Sequence, residues 1–143
     1  MFDQLIDFST NNILLVLAWL VAVSLLLQNL MADNKHNMSG SQVTDLINRE
    51  DAVIIDVRPA ADFAKGHIIN AINVPASNLA KQMTQLSKYK DKTVVVSCRS
   101  GAQSSVARKQ LIKEGFSKVY NLKGGILSWQ SDNLPVTTKN KKS

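Results

Sequence analysis

The chain has 143 residues, of which 45% are hydrophobic, and a formal net charge of +6 at pH 7. This length favours one compact domain, and the single cysteine excludes an intrachain disulfide and any Cys-x-x-Cys zinc or redox pair. The two histidines, His36 and His67, are far apart and give no metal-ligand spacing, so we expect neither a metal nor another cofactor. The basic residues are scattered and lack an aromatic pattern for base stacking, which argues against nucleic acid as a partner.

The beginning of the chain differs sharply from the rest. We interpret residues 1–10 as a short N-terminal tail and residues 11–31, an almost wholly apolar stretch, as a helix long enough to cross a hydrocarbon core of about 30 Å. A cleaved signal peptide fits less well, because the preceding residues include Asp3 and Asp7 but no Lys or Arg. A buried core helix fits poorly because the stretch has no polar face. The sequence therefore predicts one permanent transmembrane helix in the lipid bilayer.

The distribution of basic residues predicts how this helix is oriented. All seventeen Lys and Arg residues follow the apolar stretch. The positive-inside rule then places the N-terminus outside and the rest of the chain in the cytoplasm. A reducing cytoplasm would keep the cysteine available as a thiol.

Beyond a polar linker at residues 32–40, apolar runs and periodic patterns alternate along the chain. In order, they predict a short helix capped by Ser41, a strand at 52–57, a helix at 60–65, a strand at 72–74, a helix at 77–89, a strand at 93–97, a helix at 104–114, a strand at 118–122 and a helix after Gly124-Gly125. On the helix at 104–114, we expect Val106, Leu111 and Ile112 to face inward. Strands that alternate with helices indicate an α/β fold with a parallel central sheet and helices on both faces.

The cysteine stands at the most informative point of this pattern. A β-branched run ends at Cys98, a short loop with one glycine follows, and a helix begins at two serines. Reactive groups in such sheets lie at the carboxyl ends of strands, where Asp56 also falls. Loop N–H groups and the positive end of a helix dipole favour the thiolate. The alternative is a buried structural cysteine, but the glycine and the helix start favour a functional one.

Four motifs follow one another in an order that points to one family. They are Asp56-Val57-Arg58-Pro59 with Asp62-Phe63, Gly66-His67-Ile68 and Ala71-Ile72-Asn73-Val74-Pro75; Cys98-Arg99-Ser100-Gly101; Leu122-Lys123-Gly124-Gly125-Ile126 with Trp129; and Asn133-Leu134-Pro135-Val136. Together they make residues 41–136 resemble a single rhodanese domain, a sulfurtransferase-like fold, followed by a basic C-terminal tail at 137–143. A membrane anchor before one such domain is an architecture of bacterial envelopes, so the resemblance implies a single-pass protein of a bacterial-type inner (plasma) membrane.

The resemblance also implies a site. Cys98 would be the catalytic nucleophile, and the loop that binds the substrate sulfur would comprise Arg99, Ser100, Gly101, Ala102, Gln103 and Ser104. Gln103 departs from the Arg or Thr of many members and supplies an N–H donor without charge, which predicts a weaker grip on dianions such as thiosulfate. Asp56, Arg58, Asp62 and His67 are expected to be structural supports, with Arg58 paired to Asp62 or Asp56 and His67 in a packing loop. Phe63 and Trp129 are expected in the core.

The implied function is transfer of sulfane sulfur from a donor, through a persulfide on Cys98, to an external thiol or other nucleophile, since no second cysteine can resolve the persulfide. One alternative is a non-enzymatic membrane adaptor that uses the fold to bind a membrane-protein partner. Another is a phosphatase or arsenate reductase, which needs Arg six positions after the cysteine, where Ser104 stands. The intact Cys98-Arg99-Ser100-Gly101 motif favours sulfur transfer.

Overall fold

The computed structural model describes residues 1–139, which form two compact units that divide after Lys35. The first unit contains α1 (Phe2–Asn11) and α2 (Ile13–Asn34). Residues 13–32 of α2 have a mean hydropathy of 2.4 and none of them is buried within the structure, and this helix is long and apolar enough to span a membrane.

Residues 2–11 are helical, whereas the sequence suggested only a short tail there. The apolar side chains of α1 lie among two aspartates and a glutamine, and ten residues are too few for a stable isolated helix. Asn12, with φ −126° and ψ 38°, separates α1 from α2, and its side chain donates a hydrogen bond to the Phe8 carbonyl. Because α1 is too short to be stable alone, we attribute its helical structure to its place directly before the long helix α2.

The second unit is a five-stranded parallel sheet with the strand order β1-β5-β4-β2-β3. The strands are β1 (Asn37–Met38), β2 (Val53–Asp56), β3 (Ile72–Asn73), β4 (Thr93–Ser97) and β5 (Lys118–Leu122). The helices are α3 (Gly40–Glu50), α4 (Ala60–Lys65), α5 (Leu79–Leu86), α6 (Ala102–Lys113) and α7 (Gly125–Ser131), and short 3₁₀ turns flank α5 at Ala76–Asn78 and Ser87–Tyr89. The predicted α/β fold with a parallel sheet is confirmed.

Helices cover both faces of this sheet, and the alternation of side chains along β4 shows how. Val94, Val96 and Cys98 belong to a core cluster with residues of α5 and α6. Val95 belongs to a second cluster with residues of α3, α4 and α7, including Phe63 and Trp129 as expected. Because successive strand residues point to opposite faces, the two clusters are the two sides of one central strand. All five residues of β4 are buried, which explains why its β-branched run has no polar alternation.

The segment interpreted as a linker, residues 32–40, contains the end of α2 and the edge strand β1. Asn37 and Met38 pair with Asn121 and Leu122 of β5. Ser39, rather than Ser41, caps α3, in a capping box with Gln42. A strand of two residues is too short for a periodic pattern, so only its pairing with β5 reveals it.

The inward face of α6 also differs from the expectation. Val106 and Ile112 are exposed, by 69% and 43%, whereas Leu111 is fully buried. The buried stripe of α6 consists of Ser104, Ala107, Arg108 and Leu111. Hydrophobicity alone misassigned this face because two of its members are polar: Ser104 bonds inside the candidate site, and Arg108 Nε donates to the Val119 carbonyl at 2.8 Å.

The C-terminal segment extends the second unit further than expected. Thr137, assigned to the tail, exchanges two backbone hydrogen bonds with His67. Residues 140–143, which include Lys141 and Lys142 of the predicted basic tail, lie outside the described residues.

The position of β1 predicts two different outcomes for two truncations. A variant lacking residues 1–32 keeps β1, and it should fold and remain soluble without detergent. A variant lacking residues 1–38 loses the hydrogen bonds from Asn121 N–H to the His36 carbonyl and from Lys123 N–H to the Met38 carbonyl. At about 1 kcal/mol for each net hydrogen bond, its free energy of unfolding should be about 2 kcal/mol lower than that of the variant lacking residues 1–32. Urea denaturation followed by circular dichroism measures the stability of the two variants, and equal midpoints would contradict a structural role for β1.

Candidate functional site

Cys98 lies directly beyond β4, in a loop that turns back toward its own sulfur. Gly101 adopts φ 97° and ψ −10° and forms the N-cap of α6. The Gly101 N–H donates a hydrogen bond to Cys98 Sγ at 3.0 Å. The positive φ would strain any other residue at this position, and a Cβ there would also approach the Gly124 nitrogen to 3.2 Å.

The surroundings of the Cys98 sulfur favour the thiolate. Burial by itself raises the pKa of this thiol. Hydrogen bonds from the Ser104 hydroxyl and from the backbone N–H groups of Ser104, Gly101 and Ser100 lower the pKa by more than burial raises it. The pKa of Cys98 therefore lies below that of an ordinary thiol. Ser104 Oγ is 3.2 Å from the sulfur. A thiolate is the nucleophilic form of cysteine, which makes Cys98 a candidate for covalent chemistry.

Ser104 is a buried residue in the first turn of α6 rather than an exposed loop residue. Its hydroxyl also bonds Asn121 Oδ1 of β5, and Asn121 Nδ2 donates to the Gly101 carbonyl at 3.2 Å and to Asn37 Oδ1 at 2.9 Å. Asn121 and Asn37 were not expected in the site from the sequence. Asn121 had one sequence signal, an amide near the carboxyl end of a strand, where Asp56 and Cys98 also fall. Asn37 had none, because it is 84 residues from Asn121 in the chain.

The start of α7 holds the loop from the other side. Ile126 N–H donates to the Cys98 carbonyl at 2.8 Å, and Leu127 N–H donates to the Arg99 carbonyl at 3.2 Å. A Cβ at Gly125 would collide with the backbone of Cys98 and Arg99. The Gly124-Gly125 pair therefore permits a close approach of two backbones, which ties the third motif to the loop that carries the cysteine.

The other residues expected in the loop face outward, and two of them, Ala102 and Gln103, begin α6. Arg99, Ser100, Ala102 and Gln103 are exposed, and among residues 1–139 the Arg99 guanidinium and the Gln103 amide have no hydrogen-bond or ion-pair partner. These polar groups are therefore available to ligands that approach the loop.

A cavity of about 260 Å³ borders Arg99, and Arg58, Asp62, Lys65 and Gln130 also line it. Cys98 does not line it, so a ligand in this cavity lies beside the cysteine loop rather than on the sulfur. Of the cations that line the cavity, Arg58 pairs with Asp56 and Lys65 pairs with Asp62, so the Arg99 guanidinium is the charge that favours an anionic ligand there.

Asp56 and Arg58 form a buried salt bridge at the end of β2. Arg58 Nη2 lies 2.7 Å from Asp56 Oδ2, and the same nitrogen donates to the Gly66 carbonyl at 2.8 Å. Of the two partners considered for Arg58, Asp56 is the one observed, while Asp62 pairs with Lys65 at 3.6 Å on the surface. The bridge joins the end of β2 to the segment after α4, next to the cavity.

His67 lies in a packed loop, as expected. Its ring stacks on Phe63 at 3.7 Å, and its two nitrogens face the Phe63 and Lys139 carbonyl oxygens at 2.8 and 3.1 Å. Its stacking partner Phe63 belongs to the core cluster on the face of the sheet opposite the cluster that contains Cys98. No group of three or more His, Cys, Asp or Glu side chains converges within the described part of the chain. The hydrogen-bond donors around the Cys98 sulfur are the Ser104 hydroxyl and backbone amides.

Comparison with known proteins gives the same fold and motifs. The family model for the rhodanese-like domain matches residues 39–132. The uncharacterized protein YibN of Escherichia coli K12 is 36% identical over 138 residues, which cover 94% of this chain and 96% of that protein. A sulfurtransferase of Allochromatium vinosum is 37% identical over 91 residues, covering 64% of this chain and 83% of its own. The crystal structure of a rhodanese-related protein from Thermoplasma volcanium superposes with a TM-score of 0.66 at 28% identity, covering 73% of this chain and 99% of that one.

The hydrogen bonds at Cys98 predict an alkylation profile that is easy to measure, because the chain has one cysteine. The rate of reaction with iodoacetamide should reach half its maximum at a lower pH in the folded chain than in the same chain unfolded in urea, since the pKa of Cys98 is lowered only by folded contacts. Stopped-time mass spectrometry gives both profiles. A folded midpoint equal to or above the unfolded one would show that burial outweighs the hydrogen bonds.

Proposed function

The chain belongs to the rhodanese-like domain family, and on that premise we propose that it is a sulfurtransferase that carries sulfane sulfur as a persulfide on Cys98. The observation that carries the proposal is the convergence of the Gly101 N–H and the Ser104 hydroxyl on Cys98 Sγ, at 3.0 and 3.2 Å. Preorganised donors of this kind stabilise a charged sulfur without reorganising during the reaction.

The proposed reaction has two displacements. In the first, the Cys98 thiolate attacks the outer sulfur of a donor such as thiosulfate, the sulfur–sulfur bond of the donor breaks, and sulfite leaves with the electron pair. In the second, an acceptor thiolate or cyanide attacks the outer sulfur of the persulfide and regenerates the Cys98 thiolate. Sulfur passes through one covalent intermediate, which predicts ping-pong kinetics.

The acceptor in this scheme is external, because the chain has no second cysteine. The cavity beside Arg99 suggests that the donor or acceptor carries an anionic group, which Arg99 would attract. Gln103 faces solvent without a charge of its own, so we propose a weaker grip on dianions such as thiosulfate than a loop with arginine would provide. Asp56, Arg58, Asp62 and His67 act as supports of the loop and its surroundings rather than as reacting groups.

A second candidate is the adaptor function, in which the domain docks a membrane-protein partner without chemistry. One observation favours it: Cys98 is only 1% exposed, so a sulfur donor has little direct access to the thiol. The two functions differ in whether the folded chain takes up sulfur.

We therefore predict that the full chain in detergent gains the mass of one sulfur atom when it is incubated with thiosulfate, and that a reductant removes this mass. Cys98→Ser should take up no sulfur while it retains the circular dichroism spectrum and urea midpoint of the parent, because the two side chains are similar in size. Intact mass spectrometry measures both. Uptake by Cys98→Ser would contradict the persulfide mechanism, and a folded parent that takes up no sulfur from thiosulfate or from a small-molecule persulfide would favour the adaptor.

We also propose that α2 anchors the protein in a bacterial-type inner membrane, with the N-terminus outside and the second unit in the cytoplasm. The support is the apolar surface of residues 13–32 together with the absence of Lys and Arg before them. In that case, protease added to spheroplasts should leave the rhodanese-like domain intact and digest it only after lysis. Digestion in intact spheroplasts would reverse the orientation and place the sulfur acceptor in the periplasm.

A further inference from the structure

The side chain of Asn121 is buried, and its hydrogen bonds determine which way its amide points. Its Nδ2 atom lies 3.2 Å from the Gly101 carbonyl oxygen, an acceptor that can never donate. The amide nitrogen must therefore face Gly101, and Oδ1 must face Ser104. Nδ2 uses its second hydrogen on Asn37 Oδ1 at 2.9 Å, so all the donors of the Asn121 side chain are occupied.

This orientation leaves Ser104 with two acceptors and one hydroxyl hydrogen. Ser104 Oγ is 2.5 Å from Asn121 Oδ1 and 3.2 Å from Cys98 Sγ. A hydroxyl has a single hydrogen to donate, so at any moment it serves one acceptor fully. When Cys98 is a neutral thiol, Ser104 can donate to Asn121 and accept the S–H. When Cys98 is a thiolate, the charged sulfur competes for the same hydrogen, because bonds to charged groups are the stronger ones.

We propose that Asn121 is a positioning residue that competes with Cys98 for the Ser104 hydroxyl hydrogen. Ser104 donates to the Cys98 sulfur while that sulfur is charged, and donates to Asn121 Oδ1 when the sulfur is uncharged. The proposal rests on the proposed function in one respect. In the persulfide the negative charge belongs to the outer sulfur, and the inner sulfur, bonded to it, becomes a weak acceptor. Ser104 then turns to Asn121 instead of leaving a buried hydroxyl unsatisfied, a state that would cost about 1–3 kcal/mol. No proton leaves the site in this exchange; only the direction of one O–H bond changes.

Asn37 has a role that follows from the same contacts. It lies in β1, opposite Asn121 in the parallel register, and its Oδ1 atom holds one N–H of the Asn121 amide. The first strand of the second unit thereby fixes the side chain that partners Ser104.

The buried residues with acidic or basic side chains, among those that the structure describes, are Asp56, Arg58, His67 and Arg108, apart from Cys98 itself. Asp56 and Arg58 pair with each other at the end of β2, and Arg108 donates from α6 to the Val119 carbonyl. His67 stacks on Phe63 in the core cluster on the other face of the sheet. Asp56, Arg58 and His67 thus pair outside the network, and the contacts that link Asn121 to the sulfur run through Ser104 and through the Gly101 backbone.

A double-mutant cycle separates these two routes. The variants are Asn121→Leu, Ser104→Ala and the pair of them, in the full chain in detergent, and the measurement is the pH midpoint of iodoacetamide alkylation at the only cysteine. Ser104→Ala should raise the midpoint, because it removes a donor to the thiolate. Asn121→Leu should lower it by roughly 0.4–1 pH unit, the size of one neutral hydrogen bond, since Ser104 then serves the sulfur alone. In the Ser104→Ala background, Asn121→Leu should have no effect.

Controls keep the outcome decisive. Asn48→Leu replaces an exposed asparagine on α3 and should leave the midpoint unchanged. Urea midpoints report folding, and if Asn121→Leu does not fold, Asn121→Ala takes its place with the same expectations. A rise of the midpoint in the Asn121 variant, no shift, or an equal shift in both backgrounds would overturn the proposal. Alkylation requires no sulfur donor, so the cycle can succeed even if the chain forms no persulfide, and failure of the proposed function is thus recognised separately.

Discussion

The left-handed turn at Gly101 is the constraint on which the arrangement around Cys98 depends. With φ at 97°, the chain turns into α6 at the same residue whose N–H donates to the Cys98 sulfur. A side chain at this position would be strained and would also press on the backbone at Gly124. The first turn of α6 then delivers the Ser104 hydroxyl to the same sulfur, so two donors depend on one backbone conformation.

That turn is held in place by neighbours on both sides. On one side, the N–H groups of Ile126 and Leu127 bond the carbonyls of Cys98 and Arg99, which is possible because Gly125 has no side chain. On the other side, Asn121 bonds the Gly101 carbonyl and the Ser104 hydroxyl. The loop therefore has little freedom to relax when the charge on the sulfur changes, which is the condition under which fixed dipoles stabilise a reacting anion most effectively.

The parallel sheet explains why these residues meet although they are distant in sequence. Asp56 in β2, Cys98 after β4 and Asn121 in β5 all lie at the carboxyl ends of their strands, and β4 lies between β2 and β5. Parallel strands bring these ends to one edge, where polar side chains can gather without interrupting the apolar interior. The buried Asp56–Arg58 pair and the Ser104–Asn121 network lie at the same edge of the sheet. The pair is at the end of β2 and the network is at the end of β5, on opposite sides of β4.

Much of this protein could be predicted from local pattern alone. The apolar run of α2, the buried strand before Cys98, the glycine at 101 and the four family motifs each depend on residues close together in the chain, and their physical meaning is local: bilayer-length hydrophobicity, strand propensity and backbone freedom. The tertiary structure decided what depends on distant partners. It showed that β1 exists, because a strand of two residues is recognised only by its pairing with β5. It also showed that Ser104 and Arg108 are buried on α6, whereas Val106 and Ile112 are exposed. Hydrogen bonds to β5 and to the sulfur satisfy these polar groups on the inward face of the helix, and the hydrophobic pattern of the sequence contains no sign of such bonds.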